Sequence, residues 1–160
     1  MTTIKRGFSE KRIHQDTKPI VTQDWRDLDD AVEVELTSED PARSIESALL
    51  GGDSSGWRAG DPGPQTSRLT WQTPISVRRI RLVFEEQSRA RTHEFVVRAS
   101  SSNGSREIVR QQFIFSPPET TVEREEYSVN LDGVAQLELA IIPAIDDSNV
   151  FATLREWRVA

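Results

Sequence analysis

The sequence has no cysteine, and it has only two histidines in 160 residues. The lack of cysteine excludes disulfide bonds and thiolate metal sites, and two histidines are too few for a histidine-cluster metal centre. No stretch approaches the roughly 18 apolar residues that a membrane-spanning helix needs. The first thirty residues also lack the apolar run of a signal peptide. We therefore expect a cytoplasmic protein without a membrane partner.

Basic residues are also fewer than acidic residues. The chain carries 20 basic and 26 acidic residues, a net charge of −6. This balance argues against a nucleic-acid partner, because nucleic-acid binding depends on neutralising phosphates. The best basic cluster is SVRRIRL, where Arg79 and Arg81 share the face opposite Ile80 and Leu82. These arginines could contact broken DNA or form an ordinary solvated sheet face, and we favour the second interpretation.

Signatures of catalysis are scarce. His93 opens a predicted strand, in phase with Phe95 and Val97, and a strand-end histidine half covered by a loop explains it better than a catalytic base. Adjacent carboxylates such as Glu125 and Glu126 point to opposite faces of a strand, so they cannot form an acid–base pair. The glycine-containing loops match no nucleotide-binding pattern. We therefore predict that the protein is not an enzyme.

The chain length suits one domain. The pattern of charged and apolar residues changes near residue 31. Residues 1–30 are highly charged, which predicts a partly ordered arm that Trp25 pins onto the body. Residues 31–160 contain eight segments in which apolar residues alternate with polar ones, as expected for strands buried on one face. The eight segments are AVEVELT, SRLTWQT, ISVRRIRLVF, THEFVVRAS, REIVRQQFIF, EEYSVNL, VAQLELAII and FATLREWRVA.

The breaks between most segments are typical of turns. They include DPGPQTS, SSNGS, SPPETT, NLDG and PAIDDSN, which are rich in Gly, Pro, Asn, Asp and Ser. Only ARSIESALL has a helical pattern, and it is too short for more than two turns. Val77 is out of phase with Ile80 and Leu82, which predicts a bulge near Arg78. The sequence therefore predicts an all-β fold, an eight-stranded antiparallel jelly-roll sandwich over residues 31–160.

The stretch SALLGGDSSGWRAG carries a family resemblance. Ala48, Gly51 and Trp57 fit the register of the motif Ala-x-Asp-Gly-Asp-x-x-Thr-x-Trp, with Ser55 in place of the threonine. HEFVVRASSSNG resembles the hairpin of the same family, and VFATLREWRV resembles its closing strand. Over residues 31–160 the chain thus resembles the galactose-binding-like β-sandwich family, which includes discoidin domains and many carbohydrate-binding modules. The resemblance implies that Trp57 plugs the sandwich, although it could also contact a ligand.

The resemblance also implies a structural calcium ion, held by the opening loop and a glutamate of the last strand. Here the two loop aspartates of the family fall on Leu50 and Gly52, and Asp53 comes one position late. The candidate ligands are Asp53, Ser55 and Glu156 with backbone carbonyls, whereas calcium takes six to eight oxygens. The alternative is a metal-free loop in which Glu156 accepts hydrogen bonds from backbone N–H groups.

A carbohydrate site needs a flat aromatic face and planar charged donors. In the sugar-binding relatives that the resemblance implies, these groups lie in a loop like EEQSRARTHEF and just before the last strand. Phe151 could supply the aromatic face, or it could begin a strand with its ring buried. The candidate ligand-binding residues are Arg58, Arg89, Arg91, His93, Asn149 and Phe151.

The most favoured function is a non-catalytic binding module that recognises a carbohydrate through loops at one end of the sandwich. The alternative is an intracellular protein-interaction or assembly domain, in which copies of the chain could form a homo-oligomer. Trp57-Arg58-Ala59 and FIFSP, residues 113–117, resemble the N-terminal domain of the X-ray repair scaffold protein. Domains of that kind contact proteins or broken DNA rather than sugars.

Overall fold

The computed structural model describes residues 3–7, 25–28, 33–50 and 55–160. Within these residues the regular structure is almost entirely β, which confirms the predicted fold class. One short helix covers part of ARSIESALL, as predicted. The elements in chain order are β1 (Ile4–Arg6), β2 (Glu33–Leu36), α1 (Ile45–Leu50), β3 (Trp57–Arg58), β4 (Gln65–Glu85), β5 (Arg91–Ser101), β6 (Gly104–Phe115), β7 (Val122–Ile142), β8 (Thr153–Leu154) and β9 (Glu156–Val159).

Two long strands organise the fold. β4 and β7 each have 21 residues and pair antiparallel with each other. The pairing register shifts between Thr70 and Arg79, which confirms the bulge near Arg78. The prediction that NLDG separates two strands is wrong, because β7 continues through Gly133. Gly133 has φ +63°, a value that favours glycine, so the chain can bend there without ending the strand.

Because β4 and β7 change register midway, one hydrogen-bonded sheet folds into two layers. The first layer contains β2, residues 65–70 of β4, residues 136–142 of β7, and then β5 and β6. The second contains the last part of β4, the first part of β7, and β9. Phe84 of the second layer lies 4.6 Å from the His93 ring and 5.0 Å from the Phe95 ring of the first. These contacts join the two layers across the core.

The core follows the alternation of apolar residues in the sequence. Leu69 points inward before the bulge and is fully buried, whereas Ile80 and Leu82 take over the inward phase after it. Leu137 and Leu139 of β7 are also fully buried. The spacing of apolar residues therefore fixes which side of each strand meets the other layer, as predicted.

The described part of residues 1–30 lies against the sandwich. β1 pairs antiparallel with β2, and the N–H of Arg26 donates to the Val159 carbonyl at 2.6 Å. The Arg79 guanidinium lies 4.3 Å from the Trp25 ring centroid, and Leu28 is 1% exposed.

In the part of the chain that the structure describes, no helix is long and apolar enough to cross a membrane.

Candidate functional site

The opening loop leads into the short ladder of β3 and β8, where Trp57 pairs with Leu154. Alternation along β3 places Trp57 inside, with no exposed surface, and Arg58 outside. Gly56 has φ +71°, and a Cβ there would lie 2.6 Å from the Leu154 carbonyl oxygen. A side chain at residue 56 would therefore push the loop off β8. The structure confirms that the buried indole anchors the end of this loop.

A cleft of about 320 Å³ lies between the β3–β8 ladder and the connection from β4 to β5. Four of the predicted ligand-binding residues line it: Arg58, Arg89, Asn149 and Phe151. Arg58 comes from β3, Arg89 from the β4–β5 connection, and the other two from the segment just before β8. Strand pairing thus gathers residues that lie up to 93 positions apart in the sequence.

Arg58 and Phe151 form the centre of this cleft. The Arg58 guanidinium carbon lies 4.2 Å from the centroid of the half-buried Phe151 ring, in a cation–π contact. Arg58 Nη1 lies 3.8 Å from the carboxylate of Asp40. Arg89 forms an ion pair with Asp147 at 3.0 Å, and Asp147 also accepts the backbone N–H of Asn149 at 2.9 Å. The cleft therefore combines an aromatic ring with oriented donors.

Arg91 and His93 do not line this cleft. Arg91 borders a neighbouring pocket of about 240 Å³ together with Arg89 and Asp147, and His93 lies in the core. The Arg91 side chain is 3% exposed and donates to Glu86 at 2.6 Å and to the Pro143 carbonyl at 2.5 Å. His93 is 1% exposed, and its ring packs between those of Phe84 and Phe115. Both side chains stabilise the protein beneath the surface.

The sequence interpretation missed four charged residues of the cleft: Arg43, Arg155, Glu85 and Glu86. Arg155 pairs with Glu85 at 2.8 Å, although 70 residues separate them. Arg43 donates to the backbone carbonyls of Ser55 and Gly56. Nothing local in the sequence indicates these contacts, since they depend on β4, β8 and the opening loop coming together.

A buried polar network joins the two layers in the interior. His93 Nε2 lies 2.5 Å from Glu123 Oε1, and both side chains are 1% exposed or less. Within the described residues, no N–H group and no hydroxyl group donates a hydrogen bond to Glu123 Oε2. Glu125 lies two residues further along the same face of β7. Gln111 donates to Glu125 and accepts the hydroxyl of Tyr127.

Burial sets the protonation of this network. It lowers the pKa of His93 to about 3, with the nearby Arg91 charge adding to the effect. Burial, the hydrogen bond to Glu123 and the Glu123 charge together raise the pKa of Glu125 to about 7. Burial also raises the pKa of Glu123. A neutral histidine and one shared carboxyl proton therefore fit the network at neutral pH. The spacing of two between Glu123 and Glu125 was the signal that could have revealed this pair.

Replacing Glu125 with glutamine should remove a pH-dependent loss of stability. The carboxyl has a pKa of about 7 when folded and 4.5 as its ordinary value. The stability that its bound proton provides is therefore complete below about pH 4.5 and lost as the pH rises through 7. Glutamine mimics the protonated carboxyl at every pH. The difference in unfolding free energy should move in favour of Glu125→Gln by about 1 kcal/mol between about pH 5.5 and 8.5.

Urea unfolding of both proteins at each pH measures this shift, and the comparison cancels the opposite titration of His93. The matched control is Glu126→Gln, because the neighbouring Glu126 side chain is 49% exposed. The difference in unfolding free energy between Glu126→Gln and the parent protein should not show this shift. If the difference in unfolding free energy between Glu125→Gln and the parent protein also stays constant over this pH range, Glu125 carries no proton in the folded protein.

One of the three candidate calcium ligands, Glu156, is engaged by arginines. Glu156 forms ion pairs with Arg81 at 3.0 Å and with Arg158 at 3.5 Å, and Arg158 donates to the Leu49 carbonyl at 3.1 Å. These guanidinium groups compete with a cation for the same oxygens. Ser55 is described, but Asp53 lies outside the described residues. In that part of the chain no three His, Asp or Glu side chains are placed to hold a metal ion.

The basic cluster SVRRIRL is neutralised by its surroundings. Arg79 lies over Trp25 and 3.6 Å from Glu126, and Arg81 pairs with Glu156. Both arginines are therefore engaged in ion pairs within the protein.

With this topology the chain has the galactose-binding-like jelly-roll fold, and solved structures confirm the resemblance. It is similar to the family 32 carbohydrate-binding module of C. perfringens NanJ in complex with galactose. The TM-score is 0.61 at 16% identity, over 84% of this chain and 96% of that one. No protein-family model and no curated protein sequence matches the chain.

Two further solved structures represent different uses of the same fold. The family 32 module of AlyQ in complex with 4,5-unsaturated mannuronic acid has a TM-score of 0.57 at 19% identity, over 82% of this chain and 95% of that one. Reduced XRCC1 bound to the DNA pol beta catalytic domain has a TM-score of 0.54 at 15% identity, over 78% and 91%. At these identities the similarity establishes the fold alone.

Proposed function

We propose that the chain is a non-catalytic binding module that holds a carbohydrate in the cleft beside β3 and β8. The observation that carries this proposal is the convergence of Arg58, Arg89, Asn149 and Phe151 on one cleft. An aromatic ring, planar cationic donors and an amide are the groups that orient sugar rings and their hydroxyls. The galactose and mannuronic acid complexes of two modules with this fold support the proposal.

Binding fits the carboxylates of the cleft better than catalysis does. Glu85 is held by Arg155 at 2.8 Å, and Glu86 is held by Arg91 at 2.6 Å. Although burial alone would raise it, hydrogen bonds from Ser88 and Arg91 hold the pKa of Glu86 below its usual range. A general acid needs a raised pKa. The cleft acids therefore serve to position the arginines around them.

A glycan array followed by calorimetric titration tests this function. The protein should bind at least one class of glycan. Phe151→Ala should weaken that binding about tenfold, because the ring and its stacking contact with the Arg58 guanidinium are lost. The matched control is Ile114→Ala, since Ile114 is 65% exposed on β6 and does not line the cleft. Its affinity should stay within about twofold of the parent. Binding that survives Phe151→Ala unchanged would refute the site.

A protein-interaction domain is the second candidate function. It is favoured by the similarity to XRCC1, which is seen bound to the DNA pol beta catalytic domain. An array without any signal from well-folded protein would support this candidate over carbohydrate binding. A search for protein partners by cross-linking would then be the next experiment.

A further inference from the structure

The described residues that line the cleft carry a net positive charge, unlike the chain as a whole. They include four arginines and two glutamates, whereas the whole chain has a net charge of −6. Both glutamates are already occupied, Glu85 by Arg155 and Glu86 by the buried Arg91. Arg155 is thereby neutralised as well. The positive charge that a ligand would meet comes from Arg43, Arg58 and Arg89.

The environment of the Arg58 guanidinium favours binding of an anion. Its guanidinium is stacked on Phe151 at 4.2 Å, and its side chain is 38% exposed. The distance of 3.8 Å to Asp40 makes that ion pair long. A stacked guanidinium keeps its N–H groups directed sideways, and this planar fork matches the two oxygens of a carboxylate. Stacking also removes much of the rotamer freedom that a ligand would otherwise have to restrict.

The same stacking disfavours a neutral sugar. A neutral pyranose binds by laying its C–H face on an open aromatic face. In this cleft the Arg58 guanidinium already covers a face of the half-buried Phe151 ring. A ligand that approaches Phe151 from that side meets cationic N–H groups first.

Arg43 and Arg89 extend the positive surface on the two sides of Arg58. Arg43 donates to the carbonyls of Ser55 and Gly56, which are neutral acceptors and leave its charge in place. Arg89 is paired with Asp147 at 3.0 Å, but its side chain is 52% exposed, and exposed ion pairs are weak. An incoming carboxylate can therefore compete with Asp147 for Arg89.

From these contacts we infer that the cleft selects acidic saccharides, with a uronic acid carboxylate bound by the Arg58 guanidinium. This inference rests on the proposed carbohydrate-binding function and specifies its ligand class. Phe151 serves mainly as the platform that orients Arg58. Asn149 at the rim of the cleft is placed to bind hydroxyl groups of the same sugar.

The inference is tested on the parent protein with two ligands that share the same sugar rings and differ in charge. Calorimetric titration would compare a galacturonic acid trisaccharide with its methyl ester, which keeps the ring but removes the negative charge. The acid should bind at least tenfold more tightly than the ester. Its affinity should also fall between about 50 and 500 mM NaCl, because salt screens exposed charges. Equal affinities for acid and ester would overturn acid selectivity, whereas galactose-type glycans could still bind.

Variants then locate the charge that matters. Arg58→Gln should lower the affinity for the acid about tenfold and bring it close to that of the ester. Arg58→Lys keeps the charge without the planar fork and should also weaken binding. The control Arg106→Gln changes the net charge equally on the exposed part of β6 and should leave the affinity unchanged. Acid binding that Arg58→Gln leaves intact would refute the role of Arg58. No binding of any saccharide by folded protein would refute the proposed function itself.

Discussion

Replacing His93 with alanine should lower the free energy of unfolding by about 4 kcal/mol. His93 is 1% exposed and lies 2.5 Å from Glu123, whose side chain is 0% exposed. Removing the imidazole leaves a buried acid without this partner and opens a cavity between Phe84 and Phe115, whose rings lie 4.6 and 5.1 Å from it. The melting temperature should fall by about 10 °C in a domain of this size.

A second variant separates the hydrogen bond from the packing of the ring. The double variant His93→Phe with Glu123→Leu replaces both buried polar groups with apolar side chains. It should regain most of the lost stability, because neither group then remains buried without its partner. Thermal and urea unfolding measure both proteins. A loss below about 1 kcal/mol for His93→Ala would mean that the network adds little to the stability of the sandwich.

Replacing Arg6 with alanine should destabilise the protein by about 3 kcal/mol, the second largest effect expected. The Arg6 guanidinium binds both oxygens of Glu39 at 2.9 and 2.7 Å and both oxygens of Glu46 at 2.8 Å. The two carboxylates are only 10% and 12% exposed, so they cannot regain full hydration when Arg6 is removed. Glu39 also accepts the N–H of Ile45 at 2.7 Å, at the start of α1.

The neighbouring Lys5 provides a matched control for this loss. Its ammonium group lies 3.7 Å from Glu33 and 3.8 Å from Glu35, and its side chain is 58% exposed. Lys5→Ala should therefore change the unfolding free energy by less than about 0.5 kcal/mol. Equal small losses for Lys5→Ala and Arg6→Ala in urea unfolding would show that β1 does not hold α1 in place.

The inward faces of the strands could be predicted because they depend on local spacing. Leu69 and Trp71 share one phase, and Ile80 and Leu82 share another. Val77 is out of phase with Ile80 and Leu82, and this located the bulge near Arg78. A one-residue slip would turn every apolar side chain of a strand toward water, so the alternation in the sequence leaves little freedom.

The continuity of β7 could not be predicted from the sequence. NLDG has the composition of a turn, and its glycine has a positive φ as a turn glycine often does. The chain nevertheless stays in the ladder, because Leu131 pairs with Val77 and Val134 pairs with Ile75 on β4. Whether such a glycine ends a strand or bends it depends on the strand beside it.

The candidate site shows the same division between local and distant information. Arg58 and Phe151 were found from their places in the family resemblance. Arg91 and His93 belong to the same stretch as Arg89, yet distant partners decide their burial, since Glu123 lies 30 residues beyond His93. The contribution of Arg155 was equally hidden, because its partner is 70 residues away.

The two long strands have a consequence for how the domain tolerates damage. β4 and β7 pass through both layers, so the layers share main chain as well as a core. A fragment with one layer alone would contain half of each long strand and would expose the apolar side that the other layer covers. Neither layer can therefore be separated from the other without cutting both β4 and β7.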